Sequence, residues 1–182
     1  TLRDGQHAIS HQLTAEQVER YCRAIDKGGE YVVIVGHGNG IGASSVQVGI
    51  SATPDLELLA VARRELKQTR LGVFLLPGFG TIKNDLAPAM ELGVDLVCVA
   101  SHCTEADVTA QYIKYVAERG KEVYGVLMMY HMTTKERLLE EAKKMVSYGA
   151  QGIIIMDSAG ASTPAMVKET IGHLVENLPV PV

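Results

Sequence analysis

Five apolar runs limit what this chain can become: YVVIV (31–35), GVFLL (72–76), LVCVA (96–100), VYGVLMM (123–129) and GIIIM (152–156). Each is continuous where a half-exposed strand would alternate. Each therefore reads as a strand covered on both faces, the habit of parallel sheets. Amphipathic stretches lie between them. TAEQVERYCRAIDKGG pairs Thr14 with Gln17 as a capping box and ends in glycine. TPDLELLAVARREL offers Thr53 as a cap, with Pro54 at the first helical position. TEADVTAQYIKYVAERG pairs Thr104 with Asp107 and stops at Gly120. TTKERLLEEAKKMVSYG stops at Gly149, and STPAMVKETIGHLVENL places Pro164 just inside its start. Gly93, Gly120 and Gly149 close successive units at near-equal intervals, the sign of a βα repeat.

A βα repeat builds either a closed (β/α)8 barrel or an open doubly wound sheet. The residues after the runs favour the barrel. GHGNG (36–40), PGFGT (77–81), SHCTE (101–105), YHMTT (130–134) and DSAGAS (157–162) each follow a run. Every strand end thus carries polar or glycine-rich chemistry, as expected where all ends converge on one mouth. An open sheet needs such chemistry only at its switch point. Counting the opening TLRDGQH as the end of a first strand gives six βα units, with a seventh strand starting at PVPV (179–182). Residues 1–182 then form one partial TIM-barrel domain, α/β in class. A barrel of about 250 residues is usual, so the expectation is a fragment lacking its last strands.

The net charge of −4 gives no case for nucleic acid or an anionic membrane surface. No apolar run approaches the ~20 residues of a membrane helix. Cys22, Cys98 and Cys103 make no CxxC pair, which suits reduced thiols in a cytoplasm-like compartment. GNGIGA (38–43) imitates a dinucleotide fingerprint, but SSVQVGISATP follows where a helix is required.

The opening stretch sets Arg3, Asp4 and His7 within seven residues. TLRDGQH resembles the opening motif of metal-dependent lyases and Claisen-type synthases on (β/α)8 barrels, the isopropylmalate synthase and hydroxymethylglutaryl-CoA lyase superfamily. RDGQHA, GHGNGIGASS, LLPGFGT, SHCTEADV, GVLMMYHM and MDSAGA, in that order, resemble the 4-hydroxy-2-oxovalerate aldolase branch. The resemblance implies retro-aldol cleavage of 4-hydroxy-2-oxovalerate to pyruvate and acetaldehyde in the breakdown of aromatic compounds. It implies Asp4 as a metal ligand, Arg3 on the oxo oxygen and enolate, His7 as the base, and Ser158 on the substrate carboxylate. It implies a divalent metal, Mn²⁺ ahead of Mg²⁺, with two further histidine ligands after Val182. It also implies an acylating acetaldehyde dehydrogenase as partner. Asn39 departs from the aspartate common in that branch.

Other readings stand beside these. Arg3–Asp4 is, on the dipeptide alone, a rim salt bridge. A Claisen-type acyl-CoA synthase or lyase, or a catalytically incomplete fragment, are the alternative functions. His37 is open between chemistry and a hydrogen bond across the mouth. His102 and His131 read as loop-ordering residues, and His11 and His173 as surface histidines. Cys98 and Cys103 read as packing residues, and KERLLEEAKK as a solvated helix face.

Overall fold

The computed structural model describes residues 2–182. Two compact units divide the chain, Thr1–Val97 and Cys98–Val182.

In the first unit the opening is helical. Leu2–Gly5 form one turn (α1), followed by a 3-10 turn over Gln6–Ile9. The expected first strand is absent among the described residues. Local turns satisfy the backbone there instead. Helix α2 (Ala15–Gly28) starts with the capping box expected of Thr14 and Gln17 and closes at Gly29 in a left-handed conformation. Strand β1 is Val32–Ile34, and α3 is Asp55–Glu65. Pro54 stands at the cap of α3 without a side-chain bond. The expected cap, Thr53, donates its hydroxyl to Leu13 O instead. Strand β2 (Arg70–Leu75) pairs parallel with β1 in the register Val32–Arg70.

A wide π turn over Ile82–Leu86, capped by Thr81, then feeds the short helix α4 (Ala87–Glu91). The apolar periodicity gave no sign of this segment. Helices α2 and α3 pack together over buried Val18, Cys22, Leu58, Leu59 and Ala62. Each such side chain contributes about 1.5–3 kcal/mol when fully removed from water, the small ones less. Asp26 ties α2 to the turn before β2: one carboxylate oxygen accepts from the N–H groups of Lys67, Gln68 and Thr69 at 3.0, 2.8 and 2.8 Å.

Strand β3 (Leu96–His102) starts in the first unit and ends in the second. The second unit continues with α5 (Ala110–Ala117), β4 (Glu122–Met128), α6 (Lys135–Tyr148), β5 (Gly152–Met156) and α7 (Pro164–Asn177). Strands β4 and β5 are parallel, with Tyr124 opposite Gly152. Thr134 and Thr163 cap α6 and α7, and Gly149 ends α6 at φ 114°, where the sequence placed its stop. The expected cap of Thr104 is not made. A 3-10 turn over Ala106–Thr109 precedes α5, and Ala106 N donates to Glu141 Oε2 at 2.9 Å. Glu141 is fully buried and ion-paired with Arg137 and Lys144, so the KERLLEEAKK face is not wholly solvated. The PVPV segment forms no strand, since two prolines remove ladder donors. Pro181 O instead accepts from Ile153 N at 2.9 Å.

The five strands lie in the order β1-β2-β3-β4-β5. Chain order without reversal is the order of a (β/α)8 barrel and lacks the switch point of a doubly wound sheet. Six βα units were expected; five strands are present among the described residues.

Candidate active site

The loop after β1 is built around Asp55, which sits at the start of α3. Its carboxylate accepts from His37 N at 2.7 Å and from Gly42 N at 2.9 Å. Burial pushes this carboxyl above its ordinary value, against the pull of the two N–H donors. No helix follows GNGIGA among the described residues until Asp55, so the nucleotide fingerprint fails. Its glycines serve close packing. A Cβ on Gly40, at φ 101°, would lie 2.6 Å from Phe74 O.

The opening segment fastens onto this loop. Gln6, 1% exposed, donates through Nε2 to Gly36 O at 3.0 Å. Arg3 donates through Nη1 to Gly38 O at 2.5 Å, and its guanidinium lies 4.5 Å from the centroid of the Phe74 ring. Arg3 Nη2 is 3.6 Å from Asp4 Oδ1. The Arg3 side chain is 12% exposed and that of Asp4 is 71% exposed. The rim salt bridge therefore exists, yet it leaves most of the Asp4 carboxylate open to solvent. His7 is exposed and reaches the same glycine: a Cβ on Gly38 would sit 2.7 Å from His7 Nε2. Arg3 and His7 thus meet at Gly38.

His7 also belongs to a run of three imidazoles. Its ring meets that of His11 edge-on at 5.1 Å, with 76° between the planes. His11 stacks on His37 at 3.7 Å and 15°. His37 Nδ1 accepts from Asn39 N at 3.0 Å, which leaves Nε2–H to donate to Gly49 O at 3.0 Å. Both nitrogens of His37 are spent on its own loop rather than on a bond across the mouth. Asn39 enters this arrangement through its backbone.

His11 was expected at the surface and is instead 5% exposed. Its backbone is left-handed, φ 60°, directly after Ser10 at φ 52°. That double turn swings the ring inward, and helical spacing could not have foretold it. Burial, followed by the neighbouring His37 and His7, holds the His11 ring below its usual value.

In the second unit Ser158 lies exposed in the loop after β5, where its Oγ accepts from Met129 N at 3.3 Å. Asp157 accepts from Ala161 N and Ser162 N at 3.1 and 2.8 Å, with His131 Nδ1 at 3.3 Å from Oδ1. The Ser162 bond is the main cause holding the Asp157 carboxyl below its ordinary value. His102 Nδ1 is 2.9 Å from Thr104 Oγ1. His102 thus bonds within its own loop, and His131 lies beside the Asp157 carboxylate. His173 is half-buried rather than on the surface, and Cys98 and Cys103 are buried packing residues, as expected.

The sequence reading missed Gln6, His11, Asp55 and Phe74. Gln6 had a signal, since it stands between Asp4 and His7. The other three had none at short range.

No group of three or more histidine, cysteine or carboxylate side chains able to hold a metal ion occurs among the described residues. Asp4 offers one solvent-facing carboxylate, which fits the part of a single ligand but is not by itself a metal site.

A family model described as HMGL-like matches residues 1–182. A 4-hydroxy-2-oxovalerate aldolase of Pectobacterium atrosepticum is 56% identical over 182 residues, which cover 100% of this chain and 53% of that protein. One from Spirochaeta aurantia is 51% identical over 178 residues, 98% of this chain and 52% of that protein. The chain spans about half the length of the curated relatives it matches. Among solved structures, the carboxyl transferase domain of Rhizobium etli pyruvate carboxylase with pyruvate superposes with a TM-score of 0.78 at 17% identity, over 100% of this chain and 34% of that one. An N-terminal domain from Bacteroides vulgatus gives 0.77 at 20% identity, over 100% of this chain and 60% of its own. At such identities the likeness is one of fold.

Proposed function

The chain belongs to the HMGL-like family, and from that membership we propose that the protein is an aldolase splitting 4-hydroxy-2-oxovalerate into pyruvate and acetaldehyde. The observation that carries this reading is the meeting of Arg3 and His7 at Gly38. Retro-aldol cleavage needs a base for the 4-hydroxyl proton and a fixed positive charge for the enolate that forms at the 2-oxo oxygen. His7 has an open imidazole for the first. Arg3 supplies the second, and its bond to Gly38 O and its seat on Phe74 hold the guanidinium in place before substrate arrives. Electrostatic help of this kind is strongest when no reorganisation is required.

Ser158 is assigned to the substrate carboxylate, its hydroxyl lying in an exposed loop. Asp4 is assigned as one ligand of a divalent cation, Mn²⁺ before Mg²⁺, with two histidines from outside residues 1–182 completing the set. When bound, such an ion stabilises enolate charge as a Lewis acid. The steps above run through Arg3 and His7 alone. The product aldehyde is reactive and volatile, which suits transfer to an acylating acetaldehyde dehydrogenase. Three buried free cysteines suit the reducing cytoplasm. Breakdown of aromatic compounds is the setting we assign.

The test is pyruvate release from 4-hydroxy-2-oxovalerate by the full-length protein, with and without added Mn²⁺. We expect Mn²⁺ stimulation, its loss in Asp4→Asn, and a fall of at least about 100-fold in His7→Ala. Full activity in Asp4→Asn removes the metal role. Turnover of acetyl-CoA with a 2-oxo acid, and none of the hydroxy acid, replaces this reading with the Claisen-type one.

A further inference from the structure

We propose that His11 is a positioning residue for the proposed aldol chemistry, holding the His7 imidazole at the angle from which it takes the 4-hydroxyl proton. This rests on the reading of His7 as the base. The polar contacts of the His11 ring run to backbone: Nδ1 accepts from Gly38 N at 3.4 Å, and the ring also bonds the Val48 backbone. Those bonds anchor the ring and leave its edge-on contact with the exposed His7 to be explained. The fold nonetheless bends two successive non-glycine residues, Ser10 and His11, into the left-handed region to bring this ring inward. Such conformations are strained and persist only when their surroundings hold them. Two backbone bonds do the holding: His11 N donates to Gln6 O at 2.8 Å, and Ala52 N donates to His11 O at 3.0 Å.

The ring is then fixed on every side that the structure describes. Its Nδ1 faces Gly38 N at 3.4 Å. Its face lies on His37, whose own two nitrogens are tied to Asn39 and Gly49. A Cβ at Gly49 would come within 2.4 Å of His11 Cδ2, and one at Gly38 within 2.8 Å of His11 Cε1. A ring so confined is a rigid wall. His7, exposed and at 76° to it, has that wall as its neighbour. An exposed imidazole turns freely about two bonds; an edge-to-face contact with a fixed ring restricts it, and such pairs contribute stability beyond area alone. The planar ring, and not the His11 proton, is what the proposal invokes.

The experiment compares two reactions of the full-length protein. Retro-aldol cleavage of 4-hydroxy-2-oxovalerate breaks the C3–C4 bond, sends its electron pair into the enolate, and requires a base at the 4-hydroxyl. Decarboxylation of oxaloacetate breaks its C3–carboxylate bond, releases carbon dioxide and yields the same pyruvate enolate, with no hydroxyl proton to remove. His11→Ala is expected to lower kcat for cleavage by about 10-fold or more, the effect of losing alignment, with KM within about twofold. Oxaloacetate decarboxylation stays at the wild-type rate and shows that the pocket is intact. His11→Phe, which restores a flat ring, recovers most of the cleavage rate. His7→Ala loses cleavage, and adding His11→Ala to it causes no further loss, as expected of residues acting as a unit.

Wild-type cleavage in His11→Ala, or an equal fall in both reactions, overturns the role of His11 while His7→Ala still upholds the base. Failure of His11→Phe to recover cleavage also overturns it. Full cleavage in His7→Ala overturns the base itself and the His11 role with it.

Discussion

Arg3 reaches across 35 residues of sequence to donate to the Gly38 carbonyl at 2.5 Å. One charged side chain from the opening turn thereby closes onto the loop after β1. The same carbonyl fixes the reach of the guanidinium, and Phe74 fixes its plane.

A lysine cannot reproduce this arrangement, because it lacks both the flat face and the forked donors. Arg3→Lys keeps the charge and is expected to lower kcat for pyruvate release by about 100-fold, in the range found for loss of one donor to a developing oxyanion. Steady-state kinetics on the full-length protein check it. A variant within a few-fold of wild type would mean that the charge alone suffices.

Gly38 and Gly49 separate activity from stability. A methyl on Gly38 meets His7 Nε2 at 2.7 Å and His11 Cε1 at 2.8 Å, but Gly38 has no positive φ to strain, so Gly38→Ala should cost less stability than Gly49→Ala while reducing kcat through the displaced His7 ring. Gly49 has φ 105°, and its methyl meets the confined His11 ring at 2.4 Å. Gly49→Ala is expected to destabilise by about 1–3 kcal/mol, the usual scale for a forced backbone conformation. Urea unfolding and kinetics on both variants decide it, and equal effects would contradict the distinction.

Two groups give the stability a defined pH course. His11 is held below 6.5 by burial first, then by His37 and His7. The unfolded chain takes up that proton more readily than the folded one. Stability is therefore lost as pH falls below about 6.5, the unfolded value, towards the folded value. Asp26 acts in acid. Its carboxylate is held below 3.8 chiefly by the Thr69 N–H, then by Gln68. Its contribution is present above the unfolded value and disappears as pH falls through the lower folded one. Melting temperature measured against pH should show the first limb flattened in His11→Phe. Asp26→Asn should melt below wild type at pH 7 and approach it in strong acid. Parallel curves for all three proteins would refute both assignments.

Burial, with Glu65 and Asp26 nearby, pushes the Cys22 thiol up to about 11. The thiolate is the reactive form, so almost none exists at pH 8. Native protein treated with iodoacetamide at pH 8 is expected to leave Cys22 unmodified, while protein unfolded in urea reacts at this position. Peptide mass mapping reads the outcome, and rapid native labelling of Cys22 would count against its placement in the core.

The parts of the fold written in short-range pattern were readable. All five apolar runs are strands, Thr14 caps with Gln17, and Gly149 and Pro164 stand at the helix ends where the pattern put them. What escaped depends on partners far along the chain. Thr53 has the chemistry of a cap, but Leu13 O, 40 residues away, takes its hydroxyl. Thr104 loses its place because Glu141 reaches Ala106 N first. Glu141 itself lies in a run that looks solvated, and its burial follows from Arg137 and Lys144 closing over it.

The candidate site divides in the same way. Arg3, Asp4 and His7 share a visible motif, and the structure joins Arg3 and His7 at one glycine. His11 stands four residues after His7, yet two positive φ angles redirect it. Asp55 looks like an ordinary first-turn carboxylate, and only the folded loop shows that it grips His37 and Gly42.

The glycines beneath the imidazoles carry a consequence for anyone who would re-engineer this protein. Residues 36–49 hold no assigned chemistry and look like free ground for a mutant library. Because rings rest directly on that backbone, a bulkier choice there would be felt at His7 as a change of aim. Diversity placed in this stretch should reshape rate before it reshapes selectivity.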